Sequence, residues 1–266
     1  MKSLKNKVIW ITGASSGIGE ALAYELSKHQ AKLVLSSRNI EVLQKVAVHC
    51  KKNGAAQVAV LDIDLSKSDT LEAKTKQALD IFGSIDILIN NAGISQRSLA
   101  NETAVDIVHR IMEINFFGAV NLTTHILPSM LSQGSGHIVN ISSLVGKFGT
   151  PFRSSYSASK HALHGYFDSL RAELFHKNIV VTMVCPGFIK TQVSVNALDK
   201  EGNKTMEMDE AQENGMLPEV AASKIVKAIK AEKEEILVGG KEIYAVYLKR
   251  FFPGVFSKII RKVKVR

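Results

Sequence analysis

Tyr156 and Lys160 stand four positions apart, and Ser143 precedes the tyrosine by thirteen. On a helix the i and i+4 positions share a face, so an ammonium would sit beside a phenol and favour its ionised form. A free phenol titrates near pH ~10, so bringing it to neutrality takes about 3 units, or roughly 4 kcal/mol. A fixed lysine charge together with the cationic ring of an oxidised nicotinamide would supply that in a dry cleft. A phenol that gives or takes a proton, and a hydroxyl that hydrogen-bonds a carbonyl oxygen, form the acid–base half of nicotinamide-dependent carbonyl or alcohol chemistry. Ser142 competes with Ser143 for the hydroxyl role.

The other half would come from a glycine segment near the start of the chain: Thr12, Gly13, Ala14, Ser15, Ser16, Gly17, Ile18 and Gly19. It joins an apolar run to a stretch with Ile18, Ala21, Leu22 and Leu26 on one helical face, as a dinucleotide site requires. Gly13 permits a tight turn, Gly17 lets backbone approach a pyrophosphate, and Gly19 allows close helix–strand packing with the helix N-terminus facing the phosphates. About twenty residues on, where an acidic residue would bind ribose hydroxyls of NAD, stand Ser36, Ser37 and Arg38. An arginine in place of a carboxylate favours NADP(H) over NAD(H), through a 2′-phosphate.

These residues need a scaffold, and the hydrophobic pattern supplies one. Strands are expected over residues 7–12, 32–36, 57–61, 85–90, 137–142, 179–184 and 235–238, alternating with helices over 17–29, 40–53, 69–82, about 102–132, 154–176 and 218–231. That alternation predicts an α/β fold, a Rossmann-type doubly wound parallel sheet in three layers. At 266 residues and 45% hydrophobic content a single domain over 1–240 is expected. The polar, weakly periodic stretch at about 187–217 reads as a substrate lid.

The glycine segment, the run Asn90-Asn91-Ala92-Gly93, Asn115, Ser143, Tyr156 with Lys160, and Pro186-Gly187 together resemble the short-chain dehydrogenase/reductase family in its single-domain form. The resemblance extends from Lys5 to about Gly240 and selects Ser143 over Ser142. It implies that Asn91, Ala92 and Gly93 lie near the nicotinamide and its ribose. It also implies that Asn115 kinks its helix and helps hold a water connected to Lys160, that Lys160 contacts the ribose, and that Pro186, Gly187, Ile189 and Thr191 flank the cofactor, with Thr191 meeting the carboxamide or phosphates. Asp64 with Leu65 resembles the adenine-contacting pair, and Asp62 is a rival for that role. By the end of its sheet the chain is similar to the 11-beta-hydroxysteroid dehydrogenase branch, which implies a lipophilic ketone or secondary alcohol as substrate and a homodimer or homotetramer. A 3-oxoacyl thioester reductase is the enzymatic alternative, and a non-catalytic NADPH-sensing or scaffold protein is the alternative of another class.

Charge is concentrated at the C-terminus. Eight of the 34 basic residues fall in 241–266 against one acid, Glu242, leaving 26 basic and 24 acidic residues elsewhere. Tyr244, Tyr247, Leu248, Phe251, Phe252, Val255, Phe256, Ile259, Ile260 and Val263 recur there at helical spacing, interrupted by Pro253-Gly254. This basic amphipathic extension would either pack on protein or make peripheral contact with an anionic membrane through 244–266. The nearly neutral body gives no sign of nucleic-acid binding. Cys50 and Cys185 offer neither a disulfide framework nor metal-ligand spacing, and His161, His164 and His176 come with no thiolate or carboxylate constellation, so no metal site is expected. With no signal peptide and no long apolar run, a cytoplasmic location follows as the expectation.

Overall fold

Strand β1 (Val8–Thr12) is buried along its whole length, as a central strand of a two-faced parallel sheet must be. The computed structural model describes residues 3–263, and the last three residues of the predicted extension, 264–266, lie outside them. Around β1 lie β2 (Lys32–Ser37), β3 (Gln57–Asp62), β4 (Ile87–Asn90), β5 (Gly136–Ile141), β6 (Ile179–Pro186) and β7 (Glu235–Val238). All pair in parallel, in the order β3-β2-β1-β4-β5-β6-β7. The chain steps outward from β1 to β3, then returns to the other side of β1 at β4. The strand order therefore reverses between β1 and β4, and a crevice for a ligand opens at their C-terminal ends.

The period-2 alternation within β1 decides which face each residue serves. Ile9 and Ile11 join Leu22, Leu26, Leu43 and Ile225 under helices α1 (Gly17–Ser27), α2 (Ile40–Lys52) and the late helix at Pro218–Lys230. Val8 and Trp10 join Leu71, Ile126 and Phe167 on the opposite face, under α3 (Leu71–Phe82), α4 (Val105–Met112), α5 (Gly118–Gln133) and α6 (Ser154–Glu173). Trp10 is fully buried, and its indole N–H donates to Ser36 Oγ at 2.8 Å.

The expected helix over 102–132 is interrupted. A π-helical turn, Glu113–Phe117, separates α4 from α5. The cause is Asn115, whose Oδ1 accepts from Ile94 N (2.8 Å) while its Nδ2 donates to Ile94 O (2.9 Å) and Ser159 Oγ (3.0 Å). An inserted side-chain bridge of this kind widens the turn. The stretch read as a lid folds against the body and contains α7 (Glu210–Glu213), ahead of α8 (Pro218–Lys230). Leu198 packs on Ile107 and Ile111, and Ile189 pairs with Met216.

The C-terminal extension forms α9 (Tyr244–Phe251) and α10 (Pro253–Ile260), broken at Phe252 where a proline starts the next helix. Its two faces have different fates. Phe256 is 5% exposed and meets Phe148 edge-on at 5.1 Å, with Leu248 and Ile260 packed nearby. Phe251 and Phe252 remain 68% and 62% exposed, alongside Tyr244, Tyr247, Val255 and Ile259.

Candidate active site

The glycine segment turns where β1 ends. Gly13 and Gly17 both adopt positive φ (+66° and +59°), which side chains resist. A Cβ on Gly13 would stand 2.8 Å from Ala92 Cα, and one on Gly19 would collide with the Gly13 carbonyl oxygen and the Asn91 amide. The loop is thus packed against the residues that follow β4. Gly17 faces Thr191 across the crevice, where an added Cβ would lie 3.1 Å from Thr191 Cγ2. Ser16, the N-cap of α1, makes no side-chain cap, so the helix opens without that competitor for an anionic group. A backbone cradle of this shape fits a dinucleotide pyrophosphate.

Thr12 and Asn91 act within the protein itself. Thr12 Oγ1 accepts from Asn91 N (3.0 Å) and Ala92 N (3.1 Å), and Asn91 Nδ2 donates to Thr12 O (2.9 Å) and Gly13 O (3.2 Å). They stitch the glycine loop to the end of β4, so Ser15, Ile18, Ala92 and Gly93 belong to one wall. At the end of β2, Arg38 is exposed; against desolvation, hydrogen bonds from Ser66 hold the Asp64 carboxyl below its usual value, with the Arg38 and Lys67 charges as smaller contributors. Leu65 is buried beneath Gly118. Asp62 is held by Lys74 at 2.7 Å. On the far side, Pro186 ends β6, Gly187 N donates to Val238 O (2.8 Å), and Gln212 of α7 donates to Ile189 O and Thr191 Oγ1.

The catalytic candidates converge at the ends of β5 and α6. Ser143 stands close enough to the Tyr156 phenol to ease its ionisation, and its Oγ donates to Pro186 O and accepts from Val145 N, both at 3.3 Å. Ser142 instead faces inward, with its Oγ donating to Lys160 O (3.3 Å) and lying 3.1 Å from His164 Nε2. Lys160 is 4% exposed, and its Nζ donates to Ile141 O at 2.8 Å, 5.7 Å from the Tyr156 ring centre. Burial lowers its ammonium to about 8.

The fold adds influences on the phenol that the spacing did not show. The i,i+4 spacing made Lys160 the cation that eases phenol ionisation. In the folded chain burial pushes the Tyr156 phenol above its ordinary value, and the opposing influences are Arg153, the Ser143 hydrogen bond and Arg97. Lys160 spends its hydrogen bond on the Ile141 carbonyl. Neither arginine belongs to a motif of the sequence. The one available signal was the position of Arg153, three residues before Tyr156 at the N-cap of α6.

A correction concerns His164. The fold brings Cys185 (Sγ to Nε2 3.6 Å) and Glu235 (Oε2 to Nδ1 3.8 Å) beside it, a thiol and a carboxylate that no spacing announced. The carboxylate already carries Lys147 as an ion-pair partner. Burial pushes the Cys185 thiol up to about 12 and the His164 imidazole down to about 4, so this cluster is mostly neutral.

A family model described as short chain dehydrogenase matches residues 7–202. Curated relatives extend that similarity over the whole chain. "Dehydrogenase/reductase SDR family protein 7-like" of Anopheles gambiae is 42% identical, over 98% of this chain and 84% of its own length. "Dehydrogenase/reductase SDR family member 7B" of Mus musculus is 41% identical, over 97% and 81%. Among solved structures, an alcohol dehydrogenase from Thermococcus sibiricus complexed with 5-hydroxy-NADP is 25% identical, with a TM-score of 0.74 over 88% of this chain and 97% of that one. A short-chain dehydrogenase/reductase from Burkholderia phymatum in complex with NAD shares the fold with a TM-score of 0.85, at 24% identity over 100% and 98%.

Proposed function

This chain belongs to the short-chain dehydrogenase/reductase family of oxidoreductases, and within it we propose an NADP(H)-dependent enzyme that interconverts a lipophilic ketone and its secondary alcohol. The observation that carries the reading is the meeting of Ser143, Tyr156 and buried Lys160 at the C-terminal ends of the strands, together with a glycine loop in which Gly13 and Gly19 leave no room for a Cβ. When bound, the nicotinamide supplies or accepts the hydride. Ser143 orients the substrate oxygen, and Tyr156 gives the proton in reduction and takes it in oxidation. Lys160, fixed on Ile141 O, holds the ribose side of the site, and Asn115 keeps Ile94 and Ser159 in register through the π turn. The glycine loop with Ser15, Ser16 and Ile18 would hold the pyrophosphate, Arg38 the 2′-phosphate, and Asp64 with Leu65 the adenine. Ala92, Gly93, Pro186, Gly187, Ile189 and Thr191 would line the nicotinamide end, and residues 187–217 would close over the substrate. The test is a panel of ketones and acyl thioesters with NADPH and NADH, followed at 340 nm. Ketone turnover with NADPH is expected; turnover restricted to 3-oxoacyl thioesters would move the reading to that reductase, and none at all to a cofactor-sensing role.

Two assignments concern place and assembly. The enzyme is read as a cytoplasmic homo-oligomer that touches membranes at their surface; among the described residues no helix is long and apolar enough to cross one. The exposed row of Tyr244, Tyr247, Phe251, Phe252, Val255 and Ile259 lies among Lys249, Arg250, Lys258, Arg261 and Lys262, the pattern of a segment lying on an anionic bilayer. Full-length protein should co-sediment with phosphatidylserine vesicles, lose binding as salt rises, and lose it when Phe251 and Phe252 become polar. Phe256 is unsuitable for that test because it is buried. Dissociation of an oligomer by the same changes, with nothing sedimented, would make the row a subunit interface.

A further inference from the structure

Arg97, Arg153 and Asp209 form a buried cluster beside the phenol, drawn from three separate segments. Arg97 follows β4, Arg153 is the residue before α6, and Asp209 belongs to the stretch read as a lid. Their side chains are 4%, 9% and 7% exposed. Arg97 donates to Asp209 through Nε (2.9 Å) and Nη2 (2.5 Å), and Arg153 Nη2 donates to the same Oδ2 at 3.0 Å. Arg97 Nη1 is fixed by Ser95 Oγ and Gln96 O, both at 2.7 Å. Gln96 in turn accepts from Ser155 N at the start of α6 (2.8 Å), and Ser98 N donates to Phe152 O (3.1 Å). The loop after β4 and the tyrosine helix are therefore locked together.

Two guanidinium groups share one carboxylate, so Arg97, Arg153 and Asp209 together carry a net charge of about +1 away from water, an arrangement that costs desolvation energy. Arg153 Nε is buried without a hydrogen-bond partner, a second departure from what a purely structural ion cluster would show. We propose that Arg97 and Arg153, held in place by Asp209, are positioning residues for proton transfer at Tyr156, supplying the residual positive charge that favours the tyrosinate. The inference rests on the oxidoreductase reading. The groups that bear on the phenol divide clearly: Arg153 at the N-cap of α6, Lys160 on α6, Arg97 after β4, Ser143 after β5, and the neutral Cys185 thiol in the apolar cluster against which Tyr156 packs, with Asp209 reaching them through the two arginines. Asp209 opposes the two arginines in sign, which gives the proposal a signature of direction.

The test follows ionisation of the Tyr156 ring by NMR of 13Cζ-tyrosine in full-length protein with bound NADP+, the signal being assigned by its loss in Tyr156→Phe. Arg97→Gln and Arg153→Gln each remove a positive charge and should move the titration up by about one pH unit, while Asp209→Asn removes a negative charge and should move it down. Arg153→Lys, which keeps the charge, should restore the wild-type midpoint. The ascending limb of the alcohol-oxidation profile should shift in the same directions. Superimposable titrations in all four variants, or shifts of one sign in Gln and Asn variants alike, would overturn the proposal and leave a lid clamp. Because the titration needs no substrate, absence of ketone turnover by the wild type would count against the enzymatic reading alone.

Discussion

At the dinucleotide end of the cleft the groups that would face a ligand are mostly backbone, set by positive-φ glycines and by Thr12 and Asn91 bonding to main-chain atoms within one loop pair. At the phenol end they are side chains brought from distant segments: Ser143 after β5, Lys160 on α6, and a charge cluster joining residues 56 and 112 positions apart. The difference lies in what each end must do. A pyrophosphate keeps its charge throughout, so fixed N–H dipoles suffice and a mutation there acts through shape. A phenol that gives and takes a proton needs its two states balanced, so charges must be set against burial and a mutation there acts through chemistry.

The comparison is broken most severely at the phenol. Tyr156→Phe deletes the proton donor with almost no change in ring volume, so turnover should fall by at least ~10² while NADPH binding, measured by fluorescence titration, is retained. Parallel losses of both would mean that the phenol end holds cofactor rather than performing chemistry. At the other end Gly19→Ala should show the opposite profile. The new methyl meets the Gly13 carbonyl oxygen and the Asn91 amide, and overpacking of this kind costs about 1–3 kcal/mol. Weaker NADPH binding and a lower melting temperature are expected, and unchanged values in both would show that the loop gives way freely. The smallest effect sharpens the cofactor assignment. Arg38→Ala removes charge-assisted bonds worth about 1.5–3 kcal/mol, so NADPH should bind roughly tenfold more weakly while NADH is little affected. Equal losses for both dinucleotides would place Arg38 outside the phosphate site.

What the sequence determined by itself is local. All seven strands were legible from their apolar runs, with ends displaced by one or two residues, because burial on both faces leaves an uninterrupted signal. The glycine loop and the Tyr156–Lys160 pair were legible because a turn or a helix sets their geometry within a few residues. The packing of the extension was half legible: its spacing gave an apolar helix face, but which aromatics turn inward depended on Phe148 and Leu144, a hundred residues away. The π turn at Asn115 required Ile94 and Ser159 as partners, and the Arg97–Asp209–Arg153 cluster required the stretch at 187–217 to pack where the loop after β4 meets the start of α6. Those decisions belonged to the tertiary structure, because Coulomb and desolvation energies depend on distances through space, and of these partners only Arg153 stood at a short spacing from the residue it serves.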